Sequence, residues 1–167
     1  MYLHGGIIHL LFNCMALHSL GTLIEDAFGS RKLFAIYTVT GVAGFAASTY
    51  LGGHPLSVGA SGAIFGLLGF AFVFGRYRGG SGGRAVADHL KTWIVYGAVM
   101  LFIPGIDNWA HAGGFGAGAL LGLLVAPGEP RTLWGERALK ALNVLFVLLT
   151  VASFAAMVAA QLAARAA

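Results

Sequence analysis

Charge is what this chain has least of. Ten of its 167 residues are Lys or Arg and six are Asp or Glu, so 10% are charged, where a soluble domain carries roughly 25%. A soluble domain of this length needs a charged exterior, and there is too little charge here to build one. An ordinary cytosolic enzyme is excluded, and an integral membrane protein is left. Cysteine is nearly absent. Cys14 is the only one, so no internal disulfide staples the fold, and its apolar neighbours predict burial as a small hydrophobe. Four prolines and 26 glycines make neither a Pro-rich disordered chain nor a collagen-like one. The opening Met1-Tyr2-Leu3-His4 has no basic stretch before an apolar run and does not read as a signal peptide.

Apolar sequence is what the chain has in quantity: 58% of residues are hydrophobic. A bilayer core of about 30 Å asks for about 20 mainly apolar residues per helix. Six runs qualify or nearly do, at 5–24, 33–51, 56–75, 92–103, 108–126 and 138–164. The fourth is short and stops at Pro104-Gly105. Residues 76–84, with Gly-Gly-Ser-Gly-Gly at their centre, predict a flexible loop. The expected fold is therefore an all-α membrane protein, a polytopic bundle with six visible transmembrane helices.

Nine of the ten basic residues fall in alternate connections: Arg31 and Lys32; Arg76, Arg78, Arg84 and Lys91; Arg131, Arg137 and Lys140. Only Arg165 lies on the opposite side. Cytoplasmic loops collect Lys and Arg, so these connections are expected inside, with the N-terminus, His54 and Asp107 outside. That placement explains the basic balance without nucleic acid. Small residues let membrane helices approach closely. Gly114, Gly118 and Gly122 make a four-spaced stripe on the fifth run, and Gly62 and Gly66 repeat it on the third, which predicts tight packing of the two.

Polar side chains within a span are costly and usually serve a purpose. His9 and Asn13, four apart, share one helical face of the first run. Ser61 lies on the third run and His111 on the fifth. These three runs share one direction, and all four residues fall in the outer half, which predicts one polar cluster open to outside water. Taken singly each has a plainer explanation: an intramembrane Ser bonds its own backbone, and a His or Asn bridges helices. His4, His9 and His111 are conceivable metal ligands, but no acidic ligand and no His-x-x-x-His pair accompanies them. Neither metal nor cofactor is expected.

The chemistry favours a nucleophile and a base. A serine hydroxyl needs a base to take its proton, and a histidine near pKa ~6.5 suits the task. Ser61 opens a helix between Gly59 and Gly62, where unpaired N–H groups can face an oxyanion. Asn13 and His9 are candidate further donors. No carboxylate lies in the layer, so a dyad is expected rather than a triad, and Asp107, one turn away, is expected to face solvent.

Together these residues resemble the rhomboid intramembrane serine proteases. The resemblance rests on His9-Leu-Leu-Phe-Asn13, on Gly59-Ala-Ser61-Gly62 followed by Ala63-Ile-Phe65-Gly66, and on Ala110-His111-Ala-Gly-Gly114 with Gly118. Gly21-Thr-Leu-Ile-Glu25 and Gly29 add to it, and the match spans about residues 4–122. It implies Ser61 as nucleophile and His111 as base, with His9, Asn13 and the Ser61 N–H stabilising the oxyanion. It also implies an aromatic stacked on the base, at Phe65, and a close helix approach at Gly114. His4 matches a further family histidine near the outer end, Glu25 is expected to anchor a loop, and residues 92–104 correspond to a lateral gate. Family members carry the nucleophile on a fourth helix, and here it is on the third. A leading helix and a Trp-Arg loop are therefore expected to be missing, and the last run to be an extra helix.

The implied organisation is a catalytic core at 1–126, a cytoplasmic linker at 127–137 and an extra transmembrane helix at 138–167. The implied partners are membrane-protein substrates and the lipid bilayer, with no nucleic acid and the oligomeric state open. The implied setting is a bacterial inner membrane, with the site opening outward. A non-catalytic rhomboid-like protein that binds membrane clients is the alternative. Such relatives typically lack the serine or the histidine, and this chain has both.

Overall fold

The computed structural model describes residues 1–100, 102–128, 130 and 132–166. Arg131, counted above among the basic connections, lies outside the described residues, as does part of the expected 127–137 linker. Every regular element described is a helix: α1 (Ile7–Phe28), α2 (Ser30–Tyr50), α3 (Ser61–Tyr77), α4 (Gly80–Met100), α5 (Asn108–Leu124) and α6 (Leu133–Ala166). The chain divides into two compact units, Met1–Gly128 and Glu129–Ala167. Three helices, α1, α2 and α6, are long and apolar enough to cross a membrane. At 17 residues each, α3 and α5 rise about 25 Å.

Within the first unit α3 is the central element and packs against α1, α2, α4 and α5. Small residues make this possible. A Cβ at Gly114 would overlap the Gly62 carbonyl oxygen, and one at Gly118 the Gly66 carbonyl oxygen. A Cβ at Gly122 would stand 2.7 Å from the Phe70 oxygen. The expected stripe therefore does join α5 to α3 backbone to backbone. On the other side of α3, Gly66 accommodates Thr40 of α2, whose hydroxyl donates to the Ile36 carbonyl at 2.8 Å. Larger side chains gather toward one end, where Phe28 meets Phe70 and Phe74 edge-on at 4.9 and 4.8 Å between centroids.

At that end two cations close the bundle. Lys32 donates to the Ala126 carbonyl at 2.7 Å and to that of Gly128 at 2.5 Å. Arg78 donates to the Leu123 and Val125 carbonyls, each at 2.9 Å. The Leu123 carbonyl lies in the last turn of α5, where a helix leaves its carbonyls unpaired, and the others belong to the segment that follows. At the α1–α2 corner Gly29 N–H donates to the Glu25 carbonyl at 2.7 Å and Ser30 Oγ bonds the Glu25 carboxylate, so Glu25 is a corner anchor.

Several expectations are corrected. Residues 80–84 are not a flexible loop but the first turn of α4. The glycines are used for contact there: a Cβ at Gly75 would stand 2.5 Å from the Gly83 oxygen, and one at Gly79 2.7 Å from the Gly83 Cα. Close backbone packing offsets the entropy that disfavours glycine in a helix. Arg84 and Lys91 accordingly lie within α4, where Lys91 pairs with Asp88 at 2.6 Å. The third span begins only at Ser61, α4 ends at Met100, and the last helix starts earlier than expected, at Leu133. Cys14 is exposed rather than buried. It shares α1 with exposed Ile8, Phe12 and Met15; in a bilayer the outside of a bundle is as apolar as its core, so a small hydrophobe has no drive inward.

Candidate active site

The segment before α3 is shaped by Gly59. Its φ of +117° is one that side chains other than glycine rarely adopt, and a Cβ there would stand 2.8 Å from His9 Cε1. That bend delivers Ser61 as the first residue of α3, with no side-chain cap on the helix N-terminus. The first intrahelical bond is Ile64 N–H to the Ala60 carbonyl at 3.0 Å. The N–H groups of the preceding residues are those that a helix start leaves without intrahelical acceptors.

His111 stands on the first turns of α5, 6% exposed, and its Nε2 lies 2.8 Å from Ser61 Oγ. The Phe65 ring stacks on its face, with centroids 4.1 Å apart and planes 9° from parallel. Its Nδ1 is buried and has no hydrogen-bond partner among the described residues. Among the described residues no carboxylate bonds that nitrogen. The serine pair and the aromatic face orient the imidazole instead.

Ser61 and His111 lie in the wall of a cavity of about 760 Å³ that also takes in His9, Asn13, Gly59 and Phe65. All six sequence-selected residues therefore meet at one cavity. Two of them have partners within their own segment. Asn13 is buried, and its amide donates to the His9 carbonyl of its own helix at 2.8 Å. His9 Nδ1 accepts from Gly5 N–H at 3.4 Å, and its ring meets His4 edge-on at 5.2 Å between centroids.

Asp107 is the residue whose place the sequence reading missed. It does not simply face solvent. Its carboxylate caps α5, accepting from Ala110 N–H at 2.9 Å, and it takes a hydrogen bond from Ser48 Oγ of α2. Partial burial disfavours its charge, but hydrogen bonds from Ser48, Ser57 and Ala110 N–H, with His54 nearby, outweigh that and hold its carboxyl below the usual range. The signal was available: an Asp directly ahead of an apolar helical run is a cap. Asp107→Ala is expected to cost about 0.5–2 kcal/mol in detergent unfolding experiments. A depressed carboxyl stabilises the fold above its unfolded pKa of about 3.9. The wild-type advantage over Asp107→Ala should therefore be full above that pH and shrink as the pH falls further.

Residues 1–128 match the family profile described as Rhomboid domain. Similar proteins include RHOMBOID-like protein 4 of Arabidopsis thaliana, 37% identical over 130 residues, which are 75% of this chain and 33% of that protein. Rhomboid protease GluP of Bacillus subtilis is 38% identical over 150 residues, 87% of this chain and 29% of that protein. Rhomboid-type serine protease 2 of Emericella nidulans is 33% identical over 135 residues, 75% of this chain and 25% of that protein. The chain spans well under two thirds of the length of these curated relatives. An all-helical membrane bundle whose first 128 residues carry this domain is a member of the rhomboid family.

Proposed function

We propose that this chain is an intramembrane serine endopeptidase, cleaving peptide bonds in or beside transmembrane segments of membrane proteins with a Ser61–His111 dyad. The carrying observation is the 2.8 Å contact between Ser61 Oγ and His111 Nε2 at the wall of a cavity of about 760 Å³. The likeness to proteins named as rhomboid and serine proteases supports it.

Ser61 Oγ attacks the scissile carbonyl carbon as His111 Nε2 takes its proton, forming a tetrahedral oxyanion. The C–N bond then breaks, and the proton passes from His111 to the departing amine. Water repeats the cycle on the acyl-enzyme, with His111 again as base. The dyad chemistry needs no cofactor. The unpaired N–H groups at the start of α3 are the fixed oxyanion donors. Asn13 joins them by turning its amide from the His9 carbonyl, and His9 through Nε2, the ring nitrogen beside Gly59. The substrate helix must unwind locally, because a carbonyl within a helix is shielded.

The end closed by Lys32 and Arg78 faces the cytoplasm, and the cavity by Asp107 opens to the outer side of a bacterial inner membrane. Residues 1–126 form the catalytic core, and α6, which begins at Leu133, is the added helix.

The test is labelling by a fluorophosphonate probe in detergent, paired with cleavage of a transmembrane substrate in reconstituted membranes. Wild type is expected to label and to release fragments, and Ser61→Ala to do neither. Equal labelling of Ser61→Ala overturns the mechanism, while capture of the substrate without fragments identifies a client-binding protein instead. Asn13→Ala is expected to lower kcat by on the order of 10²–10³-fold. An unchanged kcat removes Asn13 from the oxyanion hole and leaves it a helix-internal hydrogen bond.

A further inference from the structure

His111 lacks the usual means of fixing a catalytic imidazole. With Nδ1 unpartnered among the described residues, rotation of the ring is limited by Ser61 at Nε2 and by the face of Phe65. The position of Phe65 therefore matters as much as a hydrogen bond would. At one edge that ring lies against α4: a Cβ on Gly97 would stand 2.6 Å from Phe65 Cε1 and 2.8 Å from Cζ. Real Cβ atoms do not approach so closely, so only glycine leaves the ring its present place.

Gly97 is also where the outer half of α4 docks. The buried residues of α4 are Ala87, Leu90 and Gly97, which lie on one helical face. Around Gly97 the side chains of Val95, Tyr96 and Val99 are exposed. The outer half of α4 thus offers Phe65 a bare stretch of backbone. Any side chain there must push the Phe65 ring out of its stacked position over His111 or push α4 away from α3.

We infer that Gly97 is a positioning residue for the proposed dyad, seating Phe65 so that it holds the His111 imidazole in line with Ser61. The inference rests on the protease reading for its consequence in turnover, though not for the contact itself. A displacement of about 1 Å in a catalytic group costs on the order of 10²-fold in rate. Gly97→Ala is expected to lower kcat about tenfold and Gly97→Val about a hundredfold, with KM little changed.

Phe65→Leu removes the two ring atoms that Gly97 faces. In that background Gly97→Ala is expected to have no further effect. Ala87→Leu, which crowds the α3–α4 contact away from Phe65, is expected to lower stability and leave kcat near wild type. A wild-type kcat in Gly97→Ala overturns the inference, and so does an equal loss in the Phe65→Leu background or an equal loss in Ala87→Leu. Should Gly97→Ala unfold, rescue of folding by Phe65→Leu supports the contact, and unfolding in both backgrounds overturns it.

A measurement independent of turnover separates this inference from the protease reading. The His111 Cε1–H resonance of histidine-labelled protein in detergent should be shifted upfield by the stacked ring. Gly97→Ala should move it toward its Phe65→Leu position, and an unmoved resonance overturns the inference. If wild type fails to label at Ser61, the protease reading falls while the resonance still decides the contact.

Discussion

His111→Ala should reduce kcat for cleavage of a transmembrane substrate by at least about 10⁴-fold, Ser61→Ala should be as severe, and the double variant should be no worse than either. The reason lies in how the two side chains meet. The serine hydroxyl is a weak nucleophile without a base, and the imidazole at 2.8 Å is the group placed to take its proton. Two residues acting as one unit give losses that do not add. Additive losses in the cycle would mean that the pair does not act together. Both variants should remain folded, because Ser61 heads its helix without capping it, and the backbone contact of α5 with α3 is made by glycines rather than by His111. Matching thermal unfolding of the variants and wild type is the control.

The largest effect on folding should come from Gly118→Leu, with Gly116→Ala as its counterpart two residues away. A Cβ at Gly118 overlaps the Gly66 carbonyl, and the Leu side chain would separate α5 from α3. The helices that carry His111 and Ser61 would then part, and the loss should exceed about 4 kcal/mol, in the range of disrupted cores. A Cβ at Gly116 meets nothing within 4 Å. Replacing that glycine by alanine should be neutral or stabilise the helix by up to about 1 kcal/mol. Unfolding in detergent with rising denaturant distinguishes the two, and similar midpoints for both variants would refute backbone packing of α5 on α3.

Much of this was legible in the sequence, for a definite reason. Membrane helices announce themselves by long apolar runs, and the six runs correspond to six helices. Polar residues within them are too costly to be incidental, so His9, Asn13, Ser61 and His111 stood out one by one. Their shared depth followed from the alternation of basic connections, and they do meet at one cavity. The four-spaced glycines likewise foretold the contact of α3 with α5.

What failed was whatever depended on a partner distant in sequence. The glycines at 79, 80, 82 and 83 read as a loop by propensity, and the close pairing of α4 with α3 overrode it. Asp107 read as a solvent-facing loop residue, because its bond to Ser48 joins residues 59 apart. Gly97 read as nothing in particular, since the ring it seats belongs to another helix.

The sequence by itself determined that the chain is a helical membrane protein, which residues within its spans are chemically expensive, and the family to which it belongs. Those properties are local: apolar length, charge placement and residue order are fixed along the chain. Only the tertiary structure decided that Asp107 caps α5 and takes a hydrogen bond from Ser48, that Asn13 rests on its own helix, and that glycines of α4 lie against α3. Contacts between helices depend on ångström-scale approach of backbones, and no residue pattern on one helix specifies what stands opposite.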